Sequence, residues 1–111
     1  MIEQKDVIAF FDERAGEWDA GMVRSDEKIG RILDNAKVTV GSRVLDIACG
    51  TGVLIGDYLR RNVESVTAVD ISPEMIRIAR EKFPQENVRF VCGDAETAPL
   101  GEGFDAIVIY N

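Results

Sequence analysis

Four places in the chain put a glycine or a polar side chain where an apolar run ends. They are Ala48-Cys49-Gly50-Thr51-Gly52 after "VLDI", Asp70 after "SVTAV", Gly93-Asp94-Ala95 after "VRFVC", and Asn111 after "FDAIVIY". Asp46 is a further carboxylate, set inside the first run. A single acid at such a point is usually a turn former or a helix cap, whereas several along one edge of a sheet can converge on a ligand. Asp70 follows Gly50 by 20 residues, the spacing at which a carboxylate accepts from both hydroxyls of a ribose. The glycine turn narrows the choice of nucleoside. A diphosphate-binding turn needs G-x-G-x-x-G so that backbone amides and a helix N-terminus can approach closely. Counting from Gly50 puts Ile55 at the third glycine, and counting from Ala48 puts Val53 there. A ligand without phosphates suits this turn better.

The elements that must position these residues follow from periodicity. Val7, Phe10, Phe11, Arg14 and Trp18 recur at helical spacing, with Gly21 as a stop, and Phe10 and Phe11 read as core. Ile29, Ile32, Leu33 and Ala36 mark a second helix, capped by Ser25. Strands are expected at 43–48, 65–69, 88–92 and 104–110. Helices are expected at 51–61, with Leu54, Ile55, Tyr58 and Leu59 inward, and after Ser72-Pro73-Glu74, with Met75, Ile76, Ala79 and Phe83 inward. Arg60-Arg61 reads as a solvated helix end. Alternating strands and helices with apolar strands imply a parallel, doubly wound α/β sheet, which binds ligands beyond the strands' carboxyl ends.

Composition excludes several classes of function. A net charge of −7 disfavours nucleic acid and anionic membranes, both of which would repel the chain. No apolar run approaches the roughly 20 residues of a membrane span, and the polar start is unlike a signal peptide. With no histidine and 2 cysteines outside any C-x-x-C pair, no metal site is expected. Cys49 and Cys92 read as small buried packing residues in a reduced, cytoplasmic protein. Trp18 reads either as a cover for the ligand or as a helix anchor.

"VLDIACGTG" resembles the first motif of the class I S-adenosylmethionine-dependent methyltransferases. "VTAVDIS", "VRFVCGDAETAPL" and "FDAIVIYN" resemble their second-, third- and fourth-strand motifs. "FFDERAGEWDAG" is similar to the lid-helix start of the ubiquinone and menaquinone C-methyltransferase branch. The resemblance implies a Rossmann-like fold with strand order 3-2-1-4, a helical lid over residues 1–40 and a cofactor-binding α/β portion over 41–111. It implies S-adenosyl-L-methionine as cofactor and a small-molecule methyl acceptor. Asp46 and the backbone of Ala48, Cys49, Gly50, Thr51 and Gly52 would hold the methionine moiety. Asp70 would take the ribose hydroxyls and Ile71 would pack on the adenine. Asp94 and the amide of Ala95 would meet the adenine edge, and Asn111 would lie near the sulfonium. Ala48 stands where many members of the family have glycine. No residue identifies itself as a catalytic base.

Residues 106–110 read as a strand covered on both faces, yet the implied order leaves it at an edge, where pairing is a hazard. The expectation is a piece of a larger enzyme, truncated after the fourth strand. Self-association through that strand is the alternative. Two other functions compete: a nicotinamide-dependent oxidoreductase domain, which shares Asp70 and the glycine turn, and a methyltransferase-like binding fragment without turnover.

Overall fold

The computed structural model describes residues 3–110. Two helices come first, α1 (Gln4–Arg14), continued by a short 3-10 turn (Ala15–Glu17), and α2 (Asp26–Asn35). There follow β1 (Arg43–Ile47), α3 (Ile55–Arg60), β2 (Ser65–Asp70), α4 (Pro73–Lys82), β3 (Val88–Cys92) and β4 (Ala106–Ile109). All pairings are parallel and the strand order is β3-β2-β1-β4, as the resemblance implies.

Register sorts the side chains onto two faces, because neighbours along a strand point opposite ways. Val44 is level with Val66 and Ala106, and Val66 with Val88. Their side chains form one core with Ile29 and Leu33 of α2, Ile55 and Tyr58 of α3, and Ile76 of α4. On the other face Leu45 and Val69 are buried, but Ile107 and Ile109 are 58% and 62% exposed. β4 is therefore an edge strand with one bare face, not a strand covered on both sides.

Local chemistry sets the element ends. Ser25 and Ser72 cap α2 and α4 by accepting from the Lys28 and Met75 amides, and Pro73 opens α4. α3 begins at Ile55 instead of Thr51, because Gly50 (φ +58) and Gly52 (φ +87) are left-handed and cannot enter a right-handed helix. A Cβ on Gly52 would also sit 3.0 Å from the Phe83 ring, so only glycine fits there. β4 is shorter than expected, as Asp105 is engaged with Arg43 through both its amide and its carboxylate. Arg61 is not merely solvated. It bonds Asp34 and the carbonyls of Gly30 and Val38, fastening the end of α3 to α2.

α1 departs from the expectation that Phe10 and Phe11 are core: none of its residues is buried. Phe10 is 48% exposed beneath the Arg14 guanidinium, 3.6 Å from its ring centre. Polar contacts fasten this segment to the body. Asp12 accepts from the Ser72 hydroxyl and the Glu74 amide at the start of α4. Asp19 accepts from Thr51 and Lys82, and Gln4 donates to Asp94. Among the described residues no helix is long and apolar enough to cross a membrane.

Candidate functional site

At the carboxyl ends of the strands lies a cleft of about 1070 Å³, just above the usual range of small-molecule sites. Asp46, Ala48, Cys49, Gly50, Asp70, Ile71, Asp94 and Ala95 all line it. Of the remaining candidates, Thr51 and Gly52 do not line it; both are buried within the turn, where Thr51 donates to Asp19. Asn111 lies outside the described residues, next to Tyr110, which does line the cleft.

Asp70 joins two parts of the site. Its Oδ2 accepts the Gly50 amide at 2.8 Å and its Oδ1 accepts the Ser72 amide at 3.0 Å. It thereby holds the glycine turn against the start of α4. A carboxylate offers about four acceptor positions, so roughly two stay open for hydroxyl groups. Asp94 shapes its own loop by accepting the Glu96 amide at 2.9 Å and also meets the Gln4 side chain at 3.1 Å.

Asp46 is the most deeply set acid, 2% exposed, between Ala68 and Val108 in the sheet register. Burial pushes its carboxyl up to about 7; the nearby Tyr58 hydroxyl pulls it partly back, and the Asp70 charge pushes it further up. The Asp46 Oδ2 and the Tyr58 hydroxyl are both buried and neither has a hydrogen-bond partner. Burial, followed by the Asp46 charge, also raises the Tyr58 and Cys49 groups, so both stay protonated near neutrality. Cys49 is thus a buried packing residue without thiolate character. Cys92, expected to be buried as well, is exposed at the end of the edge strand β3.

Of the rest of the wall, the sequence offers only Trp18 as a ligand cover and gives no such role to Phe11, Arg14 or Arg24. Phe11, Arg14 and Trp18 line the cleft from α1 and the turn after it, with the Phe11 and Trp18 rings edge to face at 5.8 Å. Trp18 therefore borders the ligand space. Arg24 also lines it, while bonding Asp26, the Val53 carbonyl and both oxygens of Asp57. No local pattern marks Arg24, since its main partners lie about 30 residues away.

The arrangement suits a ligand that is cationic and rich in donors. Four acidic residues, Glu17, Asp46, Asp70 and Asp94, line one cleft, and the deepest has an unpartnered oxygen. Gly50, which lines the cleft, lets a ligand come close to the backbone without a side chain intervening, and Ala48 adds only a methyl group.

Comparison with known proteins agrees with this chemistry. A sequence family described as a methyltransferase domain matches residues 44–111. The chain is 35% identical to a malonyl-[acyl-carrier protein] O-methyltransferase of Acetivibrio thermocellus, over 97% of this chain and 39% of that protein. It is 30% identical to a demethylmenaquinone methyltransferase of Renibacterium salmoninarum, over 94% of this chain and 45% of that protein. A TehB-like SAM-dependent methyltransferase from Corynebacterium glutamicum superposes with a TM-score of 0.70 at 29% identity, over 93% of this chain and 55% of that one. The chain spans less than half the length of these two curated relatives.

Proposed function

The chain belongs to the methyltransferase domain family of S-adenosylmethionine-dependent enzymes, and on that premise we propose that its strand-end cleft binds S-adenosylmethionine for methyl transfer to a small-molecule acceptor. The observation that carries this reading is the meeting of Asp46, Asp70 and Asp94 in a single cleft beside a left-handed glycine turn.

In this reading Asp70 takes the ribose hydroxyls with its open acceptor positions, and Ile71 packs on the adenine. Asp94 and the Ala95 amide receive the adenine edge. Asp46, Ala48, Cys49 and Gly50 border the methionine moiety, whose cationic amine meets the buried carboxylate. Thr51 and Gly52 serve by holding the turn in shape. Residues 1–40 act as a lid, with Trp18 closing one side. When bound, the cofactor supplies a methyl group activated by positive sulfur. The protein's part is to fix its orientation and exclude water, since alignment of the reacting atoms removes much of the barrier. No catalytic base is assigned.

The small-molecule acceptor rests on the net charge of −7, which opposes nucleic acid, and on a relative named for demethylmenaquinone; the relative named for malonyl-[acyl-carrier protein] adds a small acyl group presented on a carrier. Thermal shift and calorimetry with S-adenosylhomocysteine test the cofactor. Stabilisation that Asp70→Ala abolishes is expected, while stabilisation by NAD and not by S-adenosylhomocysteine overturns the reading in favour of an oxidoreductase domain.

A further inference from the structure

Tyr58 has no place in the cleft wall, yet it is fully buried and its hydroxyl ends beside the Asp46 carboxyl. The Tyr58 hydroxyl and the Asp46 Oδ2 are both sealed from solvent, and neither has a hydrogen-bond partner. An unpartnered buried hydroxyl costs about 1–3 kcal/mol, so a phenylalanine would serve packing alone better. We propose that Tyr58 is a positioning residue for Asp46, and that the Asp46 carboxyl holds a proton in the free protein and releases it when a cationic ligand enters the cleft. The inference rests on the cofactor assignment above and extends it to one pair of side chains.

Burial and the Asp70 charge favour a held proton on Asp46 while the cleft is empty, and of the groups facing it only the Tyr58 hydroxyl pulls the other way. Tyr58 of α3 offers one neutral donor, and Cys49 of the turn is a protonated thiol. Asp70 at the end of β2 is a like charge. The sheet neighbours Ala68 and Val108 carry no charge. Among the described residues no cation contributes to holding the carboxylate ionised. A ligand ammonium or sulfonium would reverse this balance. The O–H bond of the carboxyl then breaks, its electron pair remains on Asp46, and the proton passes to solvent. The Tyr58 hydroxyl keeps its own proton and donates a hydrogen bond to the new carboxylate.

Calorimetry with S-adenosylhomocysteine and with sinefungin, in buffers of different ionisation heat, counts the released proton, with Asp46→Asn as the reference. Close to one proton per ligand is expected at about pH 6 and none at about pH 8.5. Affinity should weaken about tenfold per pH unit below neutrality. Tyr58→Phe should move the release to higher pH, a change that lost packing alone would not produce. Carbon NMR of the Asp46 carboxyl in unmutated protein reads the same event directly, titrating near neutrality when free and lower when ligand is bound. Binding without proton release, a Tyr58→Phe profile superimposable on the parent, or a free Asp46 already ionised at pH 5 overturns the inference alone. If neither ligand binds at any pH, the cofactor assignment falls and the release step falls with it.

Discussion

The Gly50 amide donates to the Asp70 Oδ2 across 2.8 Å, so the tip of β2 holds the turn that follows β1. The other oxygen of the same carboxylate receives the Ser72 amide. Asp70→Ala leaves both amides without that acceptor and is expected to cost about 1–3 kcal/mol in denaturant unfolding. Asp70→Asn keeps one acceptor oxygen and should fall between the two. Binding of S-adenosylhomocysteine should weaken in both variants, and by more than stability alone accounts for.

Neighbouring turn positions should respond with opposite signs. Ala48 is left-handed, at φ +60, where a side chain is strained. Ala48→Gly relieves that strain against a smaller entropic cost and should stabilise the protein by about 0.5–1 kcal/mol. Gly50→Ala, at φ +58, should destabilise it by about 1–2 kcal/mol. Thermal melts of the two variants check the pair, and a loss of stability in Ala48→Gly would contradict the reading of Ala48 as strained.

Stability of the free protein should depend on pH through Asp46. Its folded value, about 7, lies above the unfolded 3.8, so the folded state binds the proton more tightly. That contribution is complete below about pH 4 and is lost as pH rises through 7, an upper bound of about 4 kcal/mol. Asp46→Asn should flatten unfolding free energy between pH 5 and pH 8. Asp19 acts in the opposite sense. Burial raises its carboxyl, but Thr51 and Lys82 more than offset this, so its stabilisation is lost as pH falls below about 4.

The bare face of β4 gives a fourth expectation. Ile107 and Ile109 are exposed on an edge strand whose neighbour positions Ala106 and Val108 are buried. Replacing both isoleucines with lysine should cost less than about 1 kcal/mol and reduce aggregation of this chain in light scattering, since charge blunts an open edge. Unchanged scattering would show that this strand is not the sticky surface.

Strand order was legible only through the family resemblance, whereas the convergence of Asp46, Asp70 and Asp94 was legible because parallel sheets place strand ends together. Periodicity located every helix and strand of the α/β portion, and the Ser-Pro start of α4 was unmistakable. The onset of α3 was not legible, since left-handed glycines look like helix residues in a string of letters. Phe10 and Phe11 misled because apolar spacing reports amphipathicity, whereas α1 docks through Gln4, Asp12 and the Asp19 that follows it. The pairings Asp12–Ser72 and Arg24–Asp57 join residues distant in sequence, and no local pattern encodes them. Tyr58 was read as an inward packing residue, which it is; its meeting with Asp46 depends on how α3 lies across β1.

Because no residue of α1 is fully buried and the helix is fastened partly by hydrogen bonds, lifting it uncovers far less oily surface than opening the sheet does. Heat-capacity change follows newly wetted apolar area, so this movement should carry only a small one. The doorway to the cleft would then open with a nearly straight van't Hoff line, while the sheet behind it melts along a strongly curved one.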